Sequence, residues 1–235
     1  MKTADIKLES IYERVTEEDG SSVELLKGEI SGAAVSAIRL AQGSVYTNPP
    51  KDTATVFVVF KGSVKINDII CDGRGLFAFA PKTALESSAK ENTLLLCIAY
   101  GAASNERLSH FIRYDDAPRY KEACKSEKTV NRMLLSEGLI PDLAIGSVET
   151  SGPDAVAAHD HPFCDQLFIS FEENAMYLEI EGVSLPMGGN EIVHIPLGSK
   201  HGVRVPDGGY AHYVWIDFVI DAKGKEYLRT AHEML

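Results

Sequence analysis

The sequence predicts an all-β protein made of two antiparallel β-barrels or sandwiches, and two observations lead to this fold class. Short runs rich in β-branched and aromatic residues dominate the chain, and several are bounded by Gly, Pro or Asn. The two halves also repeat one order of features: a strand ending in Phe, a turn, a second strand, a Gly pair or Gly-x-Gly, and a strand ending in Pro. Because no regular helix separates the strands, parallel βαβ units are disfavoured.

The strand-like runs form two groups, which set the expected domain boundaries. The first group includes "AVSAIRL", "ATVFVVF", "SVKINDII", "GLFAFA" and "NTLLLCIAY", and the second includes "LAIGSVE", "DQLFISF", "AMYLEIE", "EIVHIP" and "YVWIDFVI". Between them lies a charged segment without alternation. We therefore expect an N-terminal domain over 1–115, a connector over 116–138 with a short helix around 118–126, and a C-terminal domain over 139–235.

Composition excludes several classes of partner. The net charge is −11, and no basic stripe is present to bind phosphates, so neither nucleic acid nor an anionic membrane is an expected partner. No apolar run is long enough to span a bilayer, and the first residues are polar. The four cysteines are far apart, which is typical of free thiols in a reducing cytoplasm. The sequence therefore predicts a cytoplasmic protein.

The stretch "AAHDHPFCDQLFIS" is the strongest candidate for a metal site. Residues i and i+2 of a strand face the same side, so His159 and His161 are expected to point together into one barrel. Gln166 lies at an odd offset, but a bend at Pro162 resets the alternation and allows Gln166 to join the histidines. The same bend could instead present Asp165, so the sequence leaves both residues open as the next ligand.

A third imidazole comes from "GGNEIVHIPLGSKHG", in which His201 follows Pro196 and Gly198. Together, His-x-His-x4-Gln and Gly-x6-Pro-x-Gly-x-x-His resemble the paired motifs of the cupin superfamily. The C-terminal half carries both motifs, whereas the N-terminal half is similar to a cupin only in its strand pattern and its Gly…Pro turn. The chain thus looks like a bicupin, all-β, with two cupin-type barrels of the double-stranded β-helix or jelly-roll kind and one metal site.

The resemblance implies the metal ligands His159, His161, Gln166 and His201. Many cupins have Glu where this chain has Gln166; some small cupins with a similar His-Pro-x-x-acid-Gln context are metal enzymes that act on unsaturated uronate sugars. Three neutral imidazoles and a neutral amide leave a divalent ion its full charge, which favours Lewis-acid chemistry on an anionic substrate. Nitrogen and oxygen ligands without thiolate suit Zn, Mn, Ni or Fe(II).

Several residues are candidates for acid–base catalysis or for substrate binding. In "HYVWIDF", one strand face carries His212, and the other carries Tyr213 and Asp217, so either face supplies a candidate acid or base. His194, which precedes Pro196 by two residues, is a further candidate. Arg204 is positioned to anchor a carboxylate.

These features predict a metalloenzyme that acts on a small anionic metabolite as an isomerase, lyase or hydrolase, with a sugar acid as one substrate class. Two alternatives remain: a cupin dioxygenase, and a non-catalytic bicupin that binds metal or metabolite without turnover. A homodimer is the expected assembly.

The N-terminal half is expected to lack a metal site. When the halves are aligned on "VFVVF" and "LFISF", the residues opposite the four ligand positions are Asn48, Pro50, Thr55 and Glu86. No histidine occurs before Tyr100. This half therefore has a predicted structural role.

Overall fold

The computed structural model describes residues 6–15, 20–101, 106–122, 124–161, 163–220, 223–224, 226 and 233–234. They form two compact units. The N-terminal unit comprises residues 11–117 and 137–141, and the C-terminal unit comprises residues 1–10, 118–136 and 142–235. Both units are built from antiparallel sheets, which confirms the predicted all-β fold of two barrels.

Strands are numbered along the chain, and β1 (Leu8–Ser10) belongs to the C-terminal unit. The N-terminal unit starts with helix α1 (Ile11–Arg14), includes a short 3-10 helix (Tyr114–Asp116), and contains the strands β2 (Ser22–Leu25), β3 (Ala33–Leu40), β4 (Val45–Asn48), β5 (Ala54–Lys61), β6 (Ser63–Ile66), β7 (Ile69–Asp72), β8 (Gly75–Phe79), β9 (Leu85–Ala89), β10 (Thr93–Tyr100) and β11 (Ser109–Arg113). One sheet has the order β11-β8-β5-β10-β3-β2, and the other has the order β4-β9-β6-β7. The apolar core between them draws Phe57 and Phe77 from the first sheet and Val64 and Leu85 from the second.

The C-terminal unit contains the strands β12 (Arg119–Lys121), β13 (Val130–Leu135), β14 (Leu143–Ser151), β15 (Asp154–His159), β16 (Cys164–Ser170), β17 (Met176–Ile180), β18 (Val183–Met187), β19 (Glu191–Ile195), β20 (His201–Val205), β21 (Tyr210–Val219) and β22 (Glu233–Met234). Its larger sheet has the order β1-β19-β16-β21-β14-β13-β12-β22, and its smaller sheet has the order β15-β20-β17-β18. The two sheets enclose a core to which Phe168 and Trp215 contribute from one side and Leu178 and Val203 from the other.

The segment 118–136 differs from the connector that the sequence suggests. It supplies β12 and β13 to the larger sheet of the C-terminal unit, and a strand replaces the predicted short helix at its start. The reason is a single buried residue: Tyr120 is 1% exposed, while Arg119 and Lys121 on either side face solvent. The charges on both sides of Tyr120 concealed this alternation of exposed and buried residues, which is typical of a strand.

All four cysteines are free thiols, as predicted. Within the described residues, no helix has the length and apolar character needed to cross a membrane.

Candidate metal centre

Three histidines converge at one end of the C-terminal barrel. His159 ends β15 and pairs with His201, which begins β20, while His161 lies two residues beyond the end of β15. One ring nitrogen from each of the three lies within 4.8 Å of the others. His161 therefore reaches the cluster from the loop rather than from a shared strand face. The bend proposed at Pro162 lies outside the described residues.

A bulge in β15 makes this convergence possible. The register of β15 against β20 shifts between Val156 and His159, and Gly202 lies against the shifted backbone. A Cβ at Gly202 would lie 2.8 Å from the Val156 carbonyl oxygen and 3.1 Å from the Ala158 nitrogen. The missing side chain therefore allows the two backbones to approach closely beside the histidines.

Backbone carbonyls orient two of the imidazoles. His159 Nδ1 lies 2.9 Å from the Ala157 carbonyl oxygen, and His201 Nδ1 lies 3.2 Å from the Ser199 carbonyl oxygen. Because a carbonyl only accepts, each Nδ1 is the donor, and each Nε2 keeps its lone pair. Burial and the neighbouring His159 lower the pKa of His201 to about 4, so this ring is neutral at physiological pH. A neutral imidazole with a free Nε2 is the form that binds a metal ion.

Gln166 lines the same pocket and carries an unusual buried atom. Its side chain is 4% exposed, and its Nε2 donates a hydrogen bond of 2.7 Å to Asp217 Oδ1 on the neighbouring strand β21. Among the described residues, its Oε1 is buried without a hydrogen-bond partner. Since buried polar atoms almost always have partners, this oxygen fits a bound cation. Three imidazole nitrogens and one amide oxygen thus form a donor set that suits a divalent ion.

Asp165, the alternative ligand, has other partners. Its Oδ1 accepts a hydrogen bond of 2.9 Å from the Leu197 backbone and lies 3.2 Å from His194 Nε2. Adjacent residues of a strand face opposite sides, so Gln166 points into the barrel and Asp165 away from it. Gln166, and not Asp165, therefore lines the pocket with the three histidines.

Strand alternation also separates the candidate catalytic residues. Tyr213 and Asp217 line the pocket, whereas His212 lies on the opposite face of β21, where its Nδ1 is 2.6 Å from Glu173 Oε1. His194, the partner of Asp165, lies on that outer face of the sheet as well. Of the two alternatives for β21, the structure therefore selects the Tyr213 face, and it does not bring His212 or His194 to the histidine cluster.

Arg204 is also remote from the pocket. It is exposed on β20, and its guanidinium lies 4.1 Å above the ring of Tyr177 on the neighbouring strand. This stacking on the outside of the smaller sheet replaces the predicted role in carboxylate binding.

The cavity beside the histidines is small, and its wall combines polar and apolar side chains. It measures about 40 Å³, and its walls include Val156, Phe168, Val203, Tyr213 and Trp215. Burial, together with the nearby charges of other side chains, raises the pKa of Tyr213 well above its usual value. Its hydroxyl therefore stays protonated at neutral pH and is available as a hydrogen-bond donor.

Comparisons with known proteins place this geometry in a known fold. No protein-family model matches the chain, and no curated protein sequence matches it. Among solved structures, a cupin 2 conserved barrel domain protein from Leptotrichia buccalis is similar, and the alignment covers 92% of this chain and 96% of that protein. The TM-score is 0.63, and the sequences are 14% identical. The fold is that of the cupins.

Two further cupin-type structures extend over nearly the whole chain. An oxalate decarboxylase from Lactobacillus farciminis, solved as a formate complex, matches 94% of this chain and 88% of its own, with a TM-score of 0.73 and 10% identity. An IolB-like protein from Salmonella typhimurium matches 91% of this chain and 92% of its own, with a TM-score of 0.69 and 16% identity. These similarities confirm the predicted cupin fold.

The N-terminal barrel has different residues at the corresponding places. Asn48 on β4 pairs with Leu85 on β9, just as His159 on β15 pairs with His201 on β20. Leu85, and not the predicted Glu86, therefore stands at the position of the third histidine. Thr55 replaces the glutamine and pairs with an alanine instead of an aspartate. Of the described residues, only the three histidines of the C-terminal barrel form a group of potential metal-binding side chains.

Two charged residues of the site escaped prediction from the sequence. Glu122 and Lys125 line the pocket together with the histidines, and both come from the segment interpreted as a connector. Their side chains form an ion pair of 2.7 Å. The charged run "RYKEACKSEK" offers no periodicity to mark either residue.

Proposed function

We propose that this protein is a metal-dependent enzyme that acts on a small anionic metabolite as an isomerase, lyase or hydrolase. The observation that carries this proposal is the cluster of three imidazoles that shares a pocket with the buried Oε1 of Gln166, an atom without a hydrogen-bond partner among the described residues. A cluster of this kind in a partly apolar cavity is a frequent setting for metal-assisted catalysis.

The donor set is His159, His161, His201 and Gln166. It lacks thiolate, which favours Zn, Mn, Ni or Fe(II). When bound, such an ion supplies Lewis acidity that polarises a carbonyl or carboxylate oxygen.

The residues of the chain contribute binding, orientation and the exclusion of water. Val156, Phe168 and Val203 form apolar walls, and a low local polarity strengthens every electrostatic interaction with an anionic substrate. Tyr213 is the candidate hydrogen-bond donor to substrate in this pocket, because its buried hydroxyl is protonated and lies among the same walls. The N-terminal barrel has a structural role in this proposal.

Two kinds of substrate fit this chemistry. A solved structure with the same fold is named as an oxalate decarboxylase, which supports a short carboxylic acid as the substrate. The sugar acid that the resemblance implies stays a prediction, and loss of ultraviolet absorbance from unsaturated uronates tests it.

Elemental analysis of the purified protein tests the metal site. We expect about one divalent ion per chain, before or after incubation with Mn, Zn, Ni or Fe(II). His161→Ala and Gln166→Ala remove ligands and should lower this content, whereas His110→Ala, on β11 of the N-terminal unit, should not. A wild-type protein that neither contains nor takes up any of these ions would contradict the proposal.

Turnover assays with the metal-loaded protein then separate the function classes. Substrate conversion without oxygen consumption supports the isomerase, lyase or hydrolase. Oxygen uptake in an electrode indicates the dioxygenase instead, and binding without conversion indicates a non-catalytic protein.

A further inference from the structure

The ammonium group of Lys125 occupies an unusual position for a lysine. Its side chain is 8% exposed, and it lines the cavity that holds the histidine cluster. Lysines rarely bury their charge unless it is paired, because removing an ammonium group from water costs free energy. The wall also carries the acids Glu122 and Asp217, but Lys125 is the one lysine or arginine among the described residues that line the cavity.

Lys125 is held in place from two sides. Its Nζ lies 2.7 Å from Glu122 Oε2 and donates a hydrogen bond of 3.0 Å to Asn131 Oδ1 on β13. Among the described residues, these are the two acceptors that contact Nζ. An ammonium group has three N–H donors, so these two contacts leave one donor unused.

Glu122 is itself fixed to the barrel. The Tyr120 hydroxyl accepts a hydrogen bond of 3.1 Å from Trp215 Nε1 and hydrogen-bonds to Glu122. Trp215 also lines the cavity. This chain of contacts positions both members of the ion pair at the cavity before any ligand arrives, which reduces the ordering cost of binding.

The size of the cavity restricts what Lys125 can bind there. A volume of about 40 Å³ holds on the order of three water molecules. A molecule the size of a short carboxylic acid suits this space, and both the histidines and Lys125 line it. A cation on the wall, in addition to the metal site that we propose, selects for a second acidic group on the same molecule.

We infer that Lys125 binds the second carboxylate of a short dicarboxylic acid, and that Glu122 is the counter-ion of Lys125 until this substrate arrives. This inference rests on the proposed function, because the first carboxylate is assigned to the histidine centre. It predicts opposite effects for the two members of the ion pair. Removing the lysine charge weakens binding of a dicarboxylate, and removing the glutamate charge strengthens it.

Isothermal titration of the metal-loaded protein with malonate and with acetate tests this inference. Wild-type protein should bind malonate more tightly than acetate, and Lys125→Met should reduce this preference by about tenfold or more, the worth of one charge-assisted hydrogen bond. Lys125→Arg should retain part of the preference. Glu122→Gln should bind malonate more tightly than wild type, since the competing carboxylate is gone.

Lys128→Met is the matched control. Lys128 belongs to the same segment but is exposed, and its amino group donates to the Pro153 carbonyl. This variant should bind malonate as wild type does. An unchanged preference for malonate in Lys125→Met would overturn the inference. If Lys125→Met does not fold, malonate binding to Glu122→Gln that is no tighter than to wild type overturns it.

Metal content, measured separately for each variant, distinguishes the two proposals. A wild-type protein that holds no divalent ion overturns the proposed function. A metal-loaded Lys125→Met protein with wild-type malonate preference overturns the role of Lys125 and leaves the proposed function standing.

Discussion

At the scale of single residues, Asp217 changes the expected charge of the site at Gln166, the position where many cupins have glutamate. From the sequence, Gln166 makes the ligand set neutral. In the structure, the buried Asp217 carboxylate accepts a hydrogen bond of 2.7 Å from the Gln166 amide. This bond polarises the amide and increases the negative charge on Oε1. The negative charge is therefore moved one hydrogen bond away from the predicted metal position, and part of it still acts there.

Replacing Asp217 by asparagine should weaken metal binding. The substitution keeps the shape of the side chain but removes the charge that polarises Gln166, so we expect the metal dissociation constant to rise by about 10- to 100-fold. Competition with a chromogenic chelator measures this constant. Asp165→Asn is the matched control on β16, and it should leave the constant unchanged because Asp165 contacts His194 on the other face. Equal effects of the two variants would contradict this assignment.

At the scale of strands, the bulge in β15 and the glycine opposite it bring the histidines together. Gly202→Ala would place a methyl group 2.8 Å from the Val156 carbonyl oxygen. The two strands must then separate, and the first residue to move is His201. We expect a loss of stability of about 1–3 kcal/mol, typical of overpacking, together with weaker metal binding. Thermal denaturation with and without metal measures both effects.

Gly138→Ala is the control for this strand prediction, because a Cβ there meets no atom within 4 Å. It should leave the melting temperature and its response to metal close to those of wild type. A Gly202→Ala protein that retains the full stabilisation by metal would show that the close approach at the bulge is not needed for the site.

At the scale of the whole molecule, repetition and motif spacing predicted most of the fold. Strand runs with turn residues specify a pattern that recurs in both halves, and the spacing from His159 to His201 follows the same order of strands. Glu122 and Lys125 could not be found in this way. They reach the cavity because β12 and β13 join the larger sheet of the C-terminal unit, a pairing between distant segments that local sequence patterns do not reveal.

The division into two units leads to a further prediction about where a bound metal acts. A ligand that binds only the folded state stabilises it, by about 2.7 kcal/mol at a concentration of 100 times its dissociation constant. The predicted ligands lie on or beside β15, β16 and β20 of the C-terminal unit. Hydrogen exchange with and without metal should therefore show slower amide exchange in these strands. Strands β5 and β10 of the N-terminal unit should exchange at unchanged rates.

His161→Ala provides the control for this exchange experiment, because it removes one ligand from a loop and leaves the strands intact. Added metal should then slow exchange in β15 and β20 less than it does in the wild type. Slower exchange in β5 and β10 of the wild type, comparable to that in β15, would contradict a site confined to the C-terminal barrel. It would show instead that metal binding stabilises both barrels as one cooperative unit.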